Sequence, residues 1–140
     1  MYAPEARRRV VYLVCFDDLH RMGLVQYSPG LMSLPMGACA PGESYRAAAC
    51  RLAAGLAFRF GGTVARLDGV SPGDGAHRKA RLFTMHVEGG PWPSQLWLPW
   101  RQALGEVAHL GIPEFEPFLE GYLEGWIPDG WITLTSDRRN

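Results

Sequence analysis

Lysine, cysteine and net charge are the scarce features of this sequence. Lys79 is the single lysine, and 14 basic residues balance 14 acidic ones, so the formal net charge is zero. Affinity for nucleic acid comes largely from an excess of basic side chains that face phosphates, so we expect no nucleic-acid partner. Frequent arginine, together with 17 glycines and 11 prolines, favours a bacterial source with a GC-rich genome.

Long apolar runs are absent as well. No segment reaches the ~20 apolar residues of a membrane-spanning helix, and the N-terminal residues are charged where a signal peptide has an apolar stretch. We therefore expect a cytoplasmic protein without a membrane partner. The three cysteines, Cys15, Cys39 and Cys50, lack Cys-x-x-Cys spacing, which favours reduced thiols over a disulfide framework or a zinc site.

The length and composition are those of one globular domain. A chain of 140 residues buries roughly 68% of its unfolded surface, which is enough for a real core. Hydrophobic residues make up 47% and charged residues 20%, which distinguishes the chain from a disordered one. We predict a single domain over residues 1–140.

The first half of the chain contains one clear strand and one clear helix. Val10–Phe16 is continuously apolar, which predicts a central strand buried on both faces. We interpret the Asp17-Asp18 pair that follows as turn formers rather than metal ligands. Ser44 is a preferred N-cap, so an alanine-rich helix is predicted to begin there and either to loosen or to end at Gly55, before Gly61-Gly62 stops it.

The second half alternates strands with short helices. Polar and apolar residues alternate over Ala80–Val87, which indicates a half-buried strand. Pro113–Trp126 carries its aromatic and Leu residues on one helical face. The tail from Gly130 is ambiguous between strand and coil. The other predicted elements are strands at Leu24–Tyr27, Thr63–Val70 and Gln95–Trp100, and a short helix or turn at Arg101–Val107.

The loop before the first helix carries a distinctive spacing. Gly37 is followed after five residues by Glu43, and Glu43 after seven residues by Arg51, with Leu34-Pro35 just before. This pattern resembles the Nudix box, the signature of a superfamily of hydrolases. The resemblance implies a fold of the α/β (α+β) class, the Nudix fold, in which a mixed β-sheet is sandwiched between α-helices. It also implies that Arg51 pairs with Glu43 and supports the loop as a buried ion pair.

The box lacks the metal ligands of the family. Nudix hydrolases hold magnesium with a Glu after the Arg and a later Glu-Glu pair, but here Leu52, Gly55 and Leu56 stand at those positions. Phe58 stands where the closing Gly belongs. Magnesium requires oxygen ligands, which aliphatic side chains do not supply. We therefore expect no metal, no cofactor and no ordinary magnesium-dependent diphosphate hydrolysis.

Two kinds of function remain open. The first is non-hydrolytic binding of a nucleotide-like or diphosphate-like small molecule by a binding or regulatory domain. The alternative is an enzyme, either with metal-independent chemistry in a bacterial specialised biosynthetic pathway or with a rescued Nudix site. The candidate ligand-binding residues are Gly37, Glu43, Arg51, Leu52, Leu56 and Trp97.

Three residues are candidate catalytic groups. Similarity to the isopentenyl diphosphate isomerases, Nudix relatives that use a Cys and a Glu, points to Cys39, which also suits a small buried hydrophobic position. His86 lies on an alternating strand and is either an acid or base near neutral pH or simply a hydrogen-bonded histidine. Glu106 falls near the late loop from which some Nudix enzymes draw a general base.

The aliphatic replacements have a consequence for assembly. By helical spacing, Leu52, Gly55 and Leu56 lie on one side of the helix, where the family has a polar cleft. An exposed apolar surface favours association, so we expect the protein to cover it, in a homodimer. Trp97 is one of five tryptophans, which either stack on a flat ligand or anchor the C-terminal helix.

Overall fold

A mixed β-sheet with helices on both faces forms the described part of the protein. The computed structural model describes residues 9–54, 57–68, 79–89, 96–110, 112, 114–127 and 130–135. Within these ranges the strands are β1 (Arg9–Phe16), β2 (Arg21–Ser28), β3 (Leu31–Ser33), β4 (Met36–Ala38), β5 (Ala57–Asp68), β6 (Lys79–Gly89), β7 (Leu96–Pro99) and β8 (Gly130–Thr135). The helical elements are α1 (Tyr45–Leu52), α2 (Trp100–Glu106), a 3₁₀ turn at Ala108–Leu110 and α3 (Phe115–Glu124).

Strand β1 lies at the centre of the sheet. It pairs in parallel with β6 along its whole length, from Arg9 opposite Lys79 to Phe16 opposite His86. Strands β2 and β4 pair with it in the antiparallel sense. Every residue of Val10–Phe16 is at most 8% exposed. The predicted central strand, buried on both faces, is confirmed.

The sheet combines parallel and antiparallel pairs. Its strand order is β3-β2-β1-β6-β5-β8, with β4 added to β1 and β7 added to β2. Strands β5 and β8 are parallel, whereas β5 and β6 are antiparallel. The predicted α+β class with a mixed sheet is therefore confirmed.

Alternate residues of β1 face two separate hydrophobic clusters. Val11, Leu13 and Cys15 pack with the alanines of α1 on one side of the sheet. Val10, Tyr12, Val14 and Phe16 pack on the other side with buried residues of α2 and α3. The sheet is thus enclosed between helices, and the two clusters define an α1 face and an α3 face.

The first helix is shorter than the sequence predicts. α1 ends at Leu52, and the Ala53 N–H bonds back to the Ala49 carbonyl at 3.0 Å. The chain is already in β5 at Ala57, so the alternative of a helix that continues to Gly61-Gly62 is wrong, and the alternative of an end at Gly55 is the nearer prediction. The reason is tertiary, since Phe58 pairs with β6 and packs against the α1-face cluster, and this burial outweighs the helix propensity of the alanines. Gly55 and Leu56 lie outside the described residues.

Most other predicted elements are confirmed with shifted ends. Asp17 forms the expected turn, because its Oδ1 accepts from the Leu19 and Arg21 N–H groups at 2.9 and 2.8 Å. The tail, ambiguous in sequence, contributes strand β8. Along α3, Phe115, Phe118 and Leu119 are buried as expected from the apolar face. Trp92 and Gln95 lie outside the described residues.

No helix within the described ranges combines the length and the hydropathy that crossing a membrane requires.

A close approach between β5 and α3 requires a glycine at position 61. The ladder between β5 and β6 shifts register between Phe60 and Val64, which leaves Gly61 in a bulge. A Cβ atom at Gly61 would overlap the Tyr122 hydroxyl and the Thr84 Oγ1 atom. The bulge therefore brings the backbone directly against the polar side chains beneath it.

Replacing Gly61 by alanine should destabilise the fold. Because the added methyl group meets Tyr122 and the buried Thr84, we expect Gly61→Ala to lower the free energy of unfolding by about 1–3 kcal/mol. The matched control is Gly105→Ala in α2, where nothing lies within 4 Å of the new Cβ and alanine favours the helix. Urea denaturation measures both variants, and equal midpoints for the two would contradict the close approach.

Candidate functional site

The loop between β4 and α1 is a tight turn followed by a capped helix. The chain turns at Gly42, whose φ of 77° favours glycine. Across this turn the Glu43 N–H donates to the Ala40 carbonyl oxygen at 2.9 Å. The Ser44 hydroxyl then accepts from the Ala47 N–H at 3.0 Å, which confirms Ser44 as the N-cap of α1.

Glu43 and Arg51 form a bidentate ion pair across the loop. Arg51 Nε donates to Glu43 Oε2 at 3.0 Å, and Arg51 Nη2 donates to Glu43 Oε1 at 2.8 Å. Arg51 Nη2 also donates to the Ala38 carbonyl oxygen at 3.0 Å, and the Ala40 N–H donates to Glu43 Oε1 at 2.8 Å. The pair therefore ties the end of β4 and the turn to α1.

This pairing confirms the sequence-based expectation, but the expected burial is wrong. The Arg51 side chain is 56% exposed and that of Glu43 is 17% exposed. Hydrogen bonding from Arg51, followed by the Ala40 N–H, lowers the pKa of Glu43 to about 2. The pair is a surface clamp, so removing one partner does not leave a charge in a dry interior.

A second arginine, Arg9, also binds this loop, and the sequence analysis did not predict this contact. Arg9 Nη2 donates to the carbonyl oxygens of Ala40, at 3.4 Å, and Glu43. The run Arg7-Arg8-Arg9 indicates only a polar strand lead-in or an anion-binding rim. A local pattern cannot specify the carbonyl groups that Arg9 contacts, because these lie more than thirty residues away along the chain.

An apolar surface adjoins this clamp at the end of α1. Leu52 is half-buried, and a Cβ atom at Gly37 would lie 3.5 Å from Leu52 Cδ1. Trp97 of β7 is also half-buried and packs against the same α1-face cluster as Leu52. The structure thus brings Gly37, Leu52, Trp97 and the Glu43–Arg51 pair to one face of the sheet.

The predicted aliphatic stripe is described at one of its three positions. Leu52 is the last residue of α1. Leu56 and Gly55 fall outside the described residues, so Leu52 alone represents the stripe.

Cys39 and Glu106 do not form a catalytic group with one another. Cys39 lies in the loop before α1 and is half-buried. Partial burial is the main cause that raises the pKa of its thiol, so Cys39 lacks the lowered pKa of an activated nucleophile. Glu106 is exposed at the end of α2, which packs on the opposite face of the sheet.

His86 belongs to a polar and aromatic cluster on the α3 face. Its Nε2 lies 2.7 Å from the Tyr122 hydroxyl, and the rings of Phe16 and Tyr122 have centroids 5.8 Å from the imidazole. Burial is the main cause that lowers the pKa of His86, and the positive charges of Arg59 and His20 lower it further. Tyr122 appears in the sequence only as one residue of an apolar helix face, which gives no signal for this hydrogen bond.

Solved structures of Nudix hydrolases share this architecture. A C. elegans Ap4A hydrolase superposes with a TM-score of 0.65 at 15% identity, covering 86% of this chain and 98% of that chain. A NUDIX hydrolase from Nitrosomonas europaea gives 0.61 at 19% identity, covering 85% and 90%. An ADP-ribose pyrophosphatase from Streptococcus suis gives 0.57 at 19% identity, covering 92% and 98%. The chain has the Nudix fold. At these identities the likeness shows the fold alone, and no family model and no curated protein sequence matches the chain.

In the described part of the Nudix loop, the Glu43 carboxylate is bound by groups of the protein itself. Glu43 is engaged by Arg51 and by the Ala40 N–H, and Leu52 occupies the position after the arginine. Among the residues that the structure describes, no group of three His, Cys, Asp or Glu side chains is placed to hold a metal ion. The donor set in the described part of the Nudix loop therefore does not fit a magnesium site.

The Glu43 carboxylate should make stability depend on acid pH. Its pKa is about 2 in the folded protein against 4.5 for a free side chain, so its contribution is complete above 4.5 and is lost as the pH falls towards 2. We expect Glu43→Gln to be less stable than the parent near neutral pH and to lose less stability on acidification. Urea midpoints at about pH 6 and about pH 3 measure this, and a gap that stays constant would show that the clamp does not stabilise the fold.

His86 should make stability depend on pH in a higher range. Its folded pKa lies below 6.5, so the unfolded chain takes up a proton first and stability falls as the pH drops below 6.5. We expect His86→Gln to reduce the difference in urea midpoint between about pH 7.5 and about pH 5.5. His109→Gln, in the 3₁₀ turn, is the matched control with which this reduction is compared. Equal pH dependence in parent and His86→Gln would contradict the burial of His86.

Proposed function

We propose that this protein is a Nudix-fold domain that binds a nucleotide-like or diphosphate-like small molecule without hydrolysing it. The observation that carries the proposal is Leu52, which ends α1 beside Gly37 at the position where the Nudix pattern has a metal-binding Glu. The loop nevertheless keeps its shape, because Arg51 and Glu43 hold it without a metal. A loop that keeps its shape and presents an apolar side chain suits ligand binding better than activation of a water molecule.

The ligand-binding surface lies on the α1 face. Leu52 and Trp97 are both half-buried there, so each offers apolar surface to a ligand while remaining anchored in the cluster beneath. Gly37 keeps the backbone accessible beside Leu52, and Glu43 with Arg51 sets the position of the loop. Leu56 belongs to the same proposal through its place in the Nudix box.

The class of ligand is taken from proteins with the same fold. The superposable structures include an Ap4A hydrolase and an ADP-ribose pyrophosphatase, and both names describe phosphorylated nucleotides. The domain would bind such a compound with no metal or other cofactor. The proposal also includes a cytoplasmic location, a bacterial source and a homodimer.

A second candidate function is acid–base chemistry without a metal. It is favoured by the 2.7 Å contact between His86 Nε2 and the Tyr122 hydroxyl. A histidine with a lowered pKa is neutral at physiological pH and can accept a proton, and the tyrosine offers a partner for it. This pair lies on the face opposite Leu52, so it would act on a different bound group.

A ligand screen tests the binding proposal. Thermal unfolding is measured with nucleotides, nucleotide sugars and isoprenoid diphosphates, each with and without magnesium. A ligand at 100 times its Kd stabilises the folded state by about 2.7 kcal/mol, which raises the Tm by several degrees. We expect stabilisation that does not depend on magnesium and no release of phosphate or nucleotide product.

The same screen is repeated with the variant Leu52→Glu. It returns a carboxylate to the position after Arg51, yet the rest of the metal-binding set is still missing, so hydrolysis should stay at background. Magnesium-dependent product release by the parent protein would overturn the proposal. Absence of stabilisation by every compound would overturn it as well.

A further inference from the structure

Two phenylalanines form a partly open aromatic surface beside α1. Phe58 and Phe60 of β5 are both half-buried, and their ring centroids lie 5.2 Å apart in an edge arrangement. Phe60 also contacts Phe83 of β6, with centroids 5.5 Å apart. All three rings belong to or pack against the α1-face cluster. The surface is therefore packed against the α1-face cluster on one side and partly exposed to solvent on the other.

An exposed arginine lies directly on this aromatic surface. The guanidinium carbon of Arg46 is 4.4 Å from the centroid of the Phe60 ring. Arg46 is the second residue of α1, and its side chain is exposed. A guanidinium stacked on a ring keeps its N–H groups free at the edge, where they can meet an anion.

A second group of arginines continues the surface. The guanidinium carbon of Arg81 lies 4.4 Å from the centroid of Tyr45, the neighbour of Arg46 in α1. Arg66 stands directly opposite Arg81 between β5 and β6, so the two side chains lie on the same face of the sheet. That is the α1 face, because Arg81 is also in register with Val11.

Positive charge is concentrated on this surface. Arg66 and Arg81 stand directly opposite each other on neighbouring strands. Helix α1 contains no acidic residue, and Glu43 just before it is bound by Arg51. Among the side chains that the structure describes, Arg59 on the other face of β5 has Glu88 only 3.7 Å away, whereas no such contact is found for Arg46 or Arg66.

We propose that this surface, the aromatic–arginine strip of Phe58, Phe60, Tyr45, Arg46, Arg66 and Arg81, binds an organic anion with an apolar body. The apolar body would lie on the two phenylalanines, and the anionic group would accept hydrogen bonds from Arg46 and Arg66. This inference rests on the proposed ligand-binding function and names the chemical class of ligand. It also places the ligand's charge at the first turn of α1, rather than at the end of α1 where the Nudix box has its metal.

Binding of two dyes tests the strip. The anionic probe is 8-anilinonaphthalene-1-sulfonate, which has a flat apolar body and one sulfonate, and the neutral probe is Nile red. The test variant is Arg46→Gln combined with Arg66→Gln, both at exposed positions. We expect this variant to bind the anionic dye about tenfold more weakly, since hydrogen bonds to a charged group are lost, and to bind the neutral dye as before.

The control variant is Arg101→Gln. Arg101 is an exposed arginine of α2 on the opposite side of the sheet, where it contacts Glu116 at 2.7 Å. It changes the net charge without touching the strip, so it should leave the binding of both dyes unchanged. Melting temperatures no lower than that of the parent protein show that the fold of each variant is intact. If Arg101→Gln weakens the anionic dye as much as the test variant does, the effect is one of overall charge and the proposal is wrong.

Competition identifies the anionic group. We expect decyl phosphate or decanoate to displace the anionic dye at far lower concentration than inorganic phosphate or acetate, since these lack the apolar body. The stronger of the two long-chain competitors shows whether a phosphate or a carboxylate is preferred. If neither displaces the dye, or if the test variant binds it as tightly as the parent, the strip is not the site.

The outcomes separate this inference from the proposed function. A parent protein that is stabilised by a compound of the screen but does not bind the anionic dye supports the proposed function and contradicts the strip. A parent protein that binds neither dye and no compound of the screen contradicts both the strip and the proposed function.

Discussion

The parallel pairing of β1 with β6 is the constraint on which the rest of the structure depends. Because β1 is buried on both faces, its alternate side chains must be covered by two different layers of helices. Every residue of β1 and β6 is thereby assigned to the α1 face or the α3 face. Leu52 and Trp97 adjoin the first cluster, while His86 and Tyr122 lie on the second, so the two candidate sites are separated by the thickness of the sheet.

Local sequence signals predicted the features that local chemistry decides. The Ser44 cap, the Asp17 turn and the apolar run of β1 each follow from a few neighbouring residues, and each is confirmed. The Glu43–Arg51 pair was predicted through its spacing in the Nudix box. The end of α1 was left between two alternatives, an end at Gly55 and a longer helix, because alanine propensity competes there with the pairing of Phe58 to β6, and the partner strand is about thirty residues distant.

The contacts that sequence reasoning missed all join distant parts of the chain. Arg9 reaches the loop before α1, and Tyr122 reaches His86 from a helix near the C-terminus. Nothing within either local segment specifies its partner, since an arginine near a strand and a tyrosine on a helix face are common. The contact of Arg46 with the Phe60 ring was not predicted for the same reason. The sequence analysis had placed both residues in or near one helix.

The loop of this Nudix fold is held by charge pairing at the protein surface and by backbone hydrogen bonds. Neither depends on an ion, because Arg51 bonds to Glu43 and to the Ala38 carbonyl, and Arg9 bonds to the carbonyl groups on the other side of the turn. A Glu at position 52 would add a charge beside this clamp, whereas Leu52 places an apolar side chain next to Gly37 of β4. The shape of the loop and the chemistry of a metal are therefore separable in this fold. The contacts of Arg51 and Arg9 thus account for the shape of the loop from this chain's own residues.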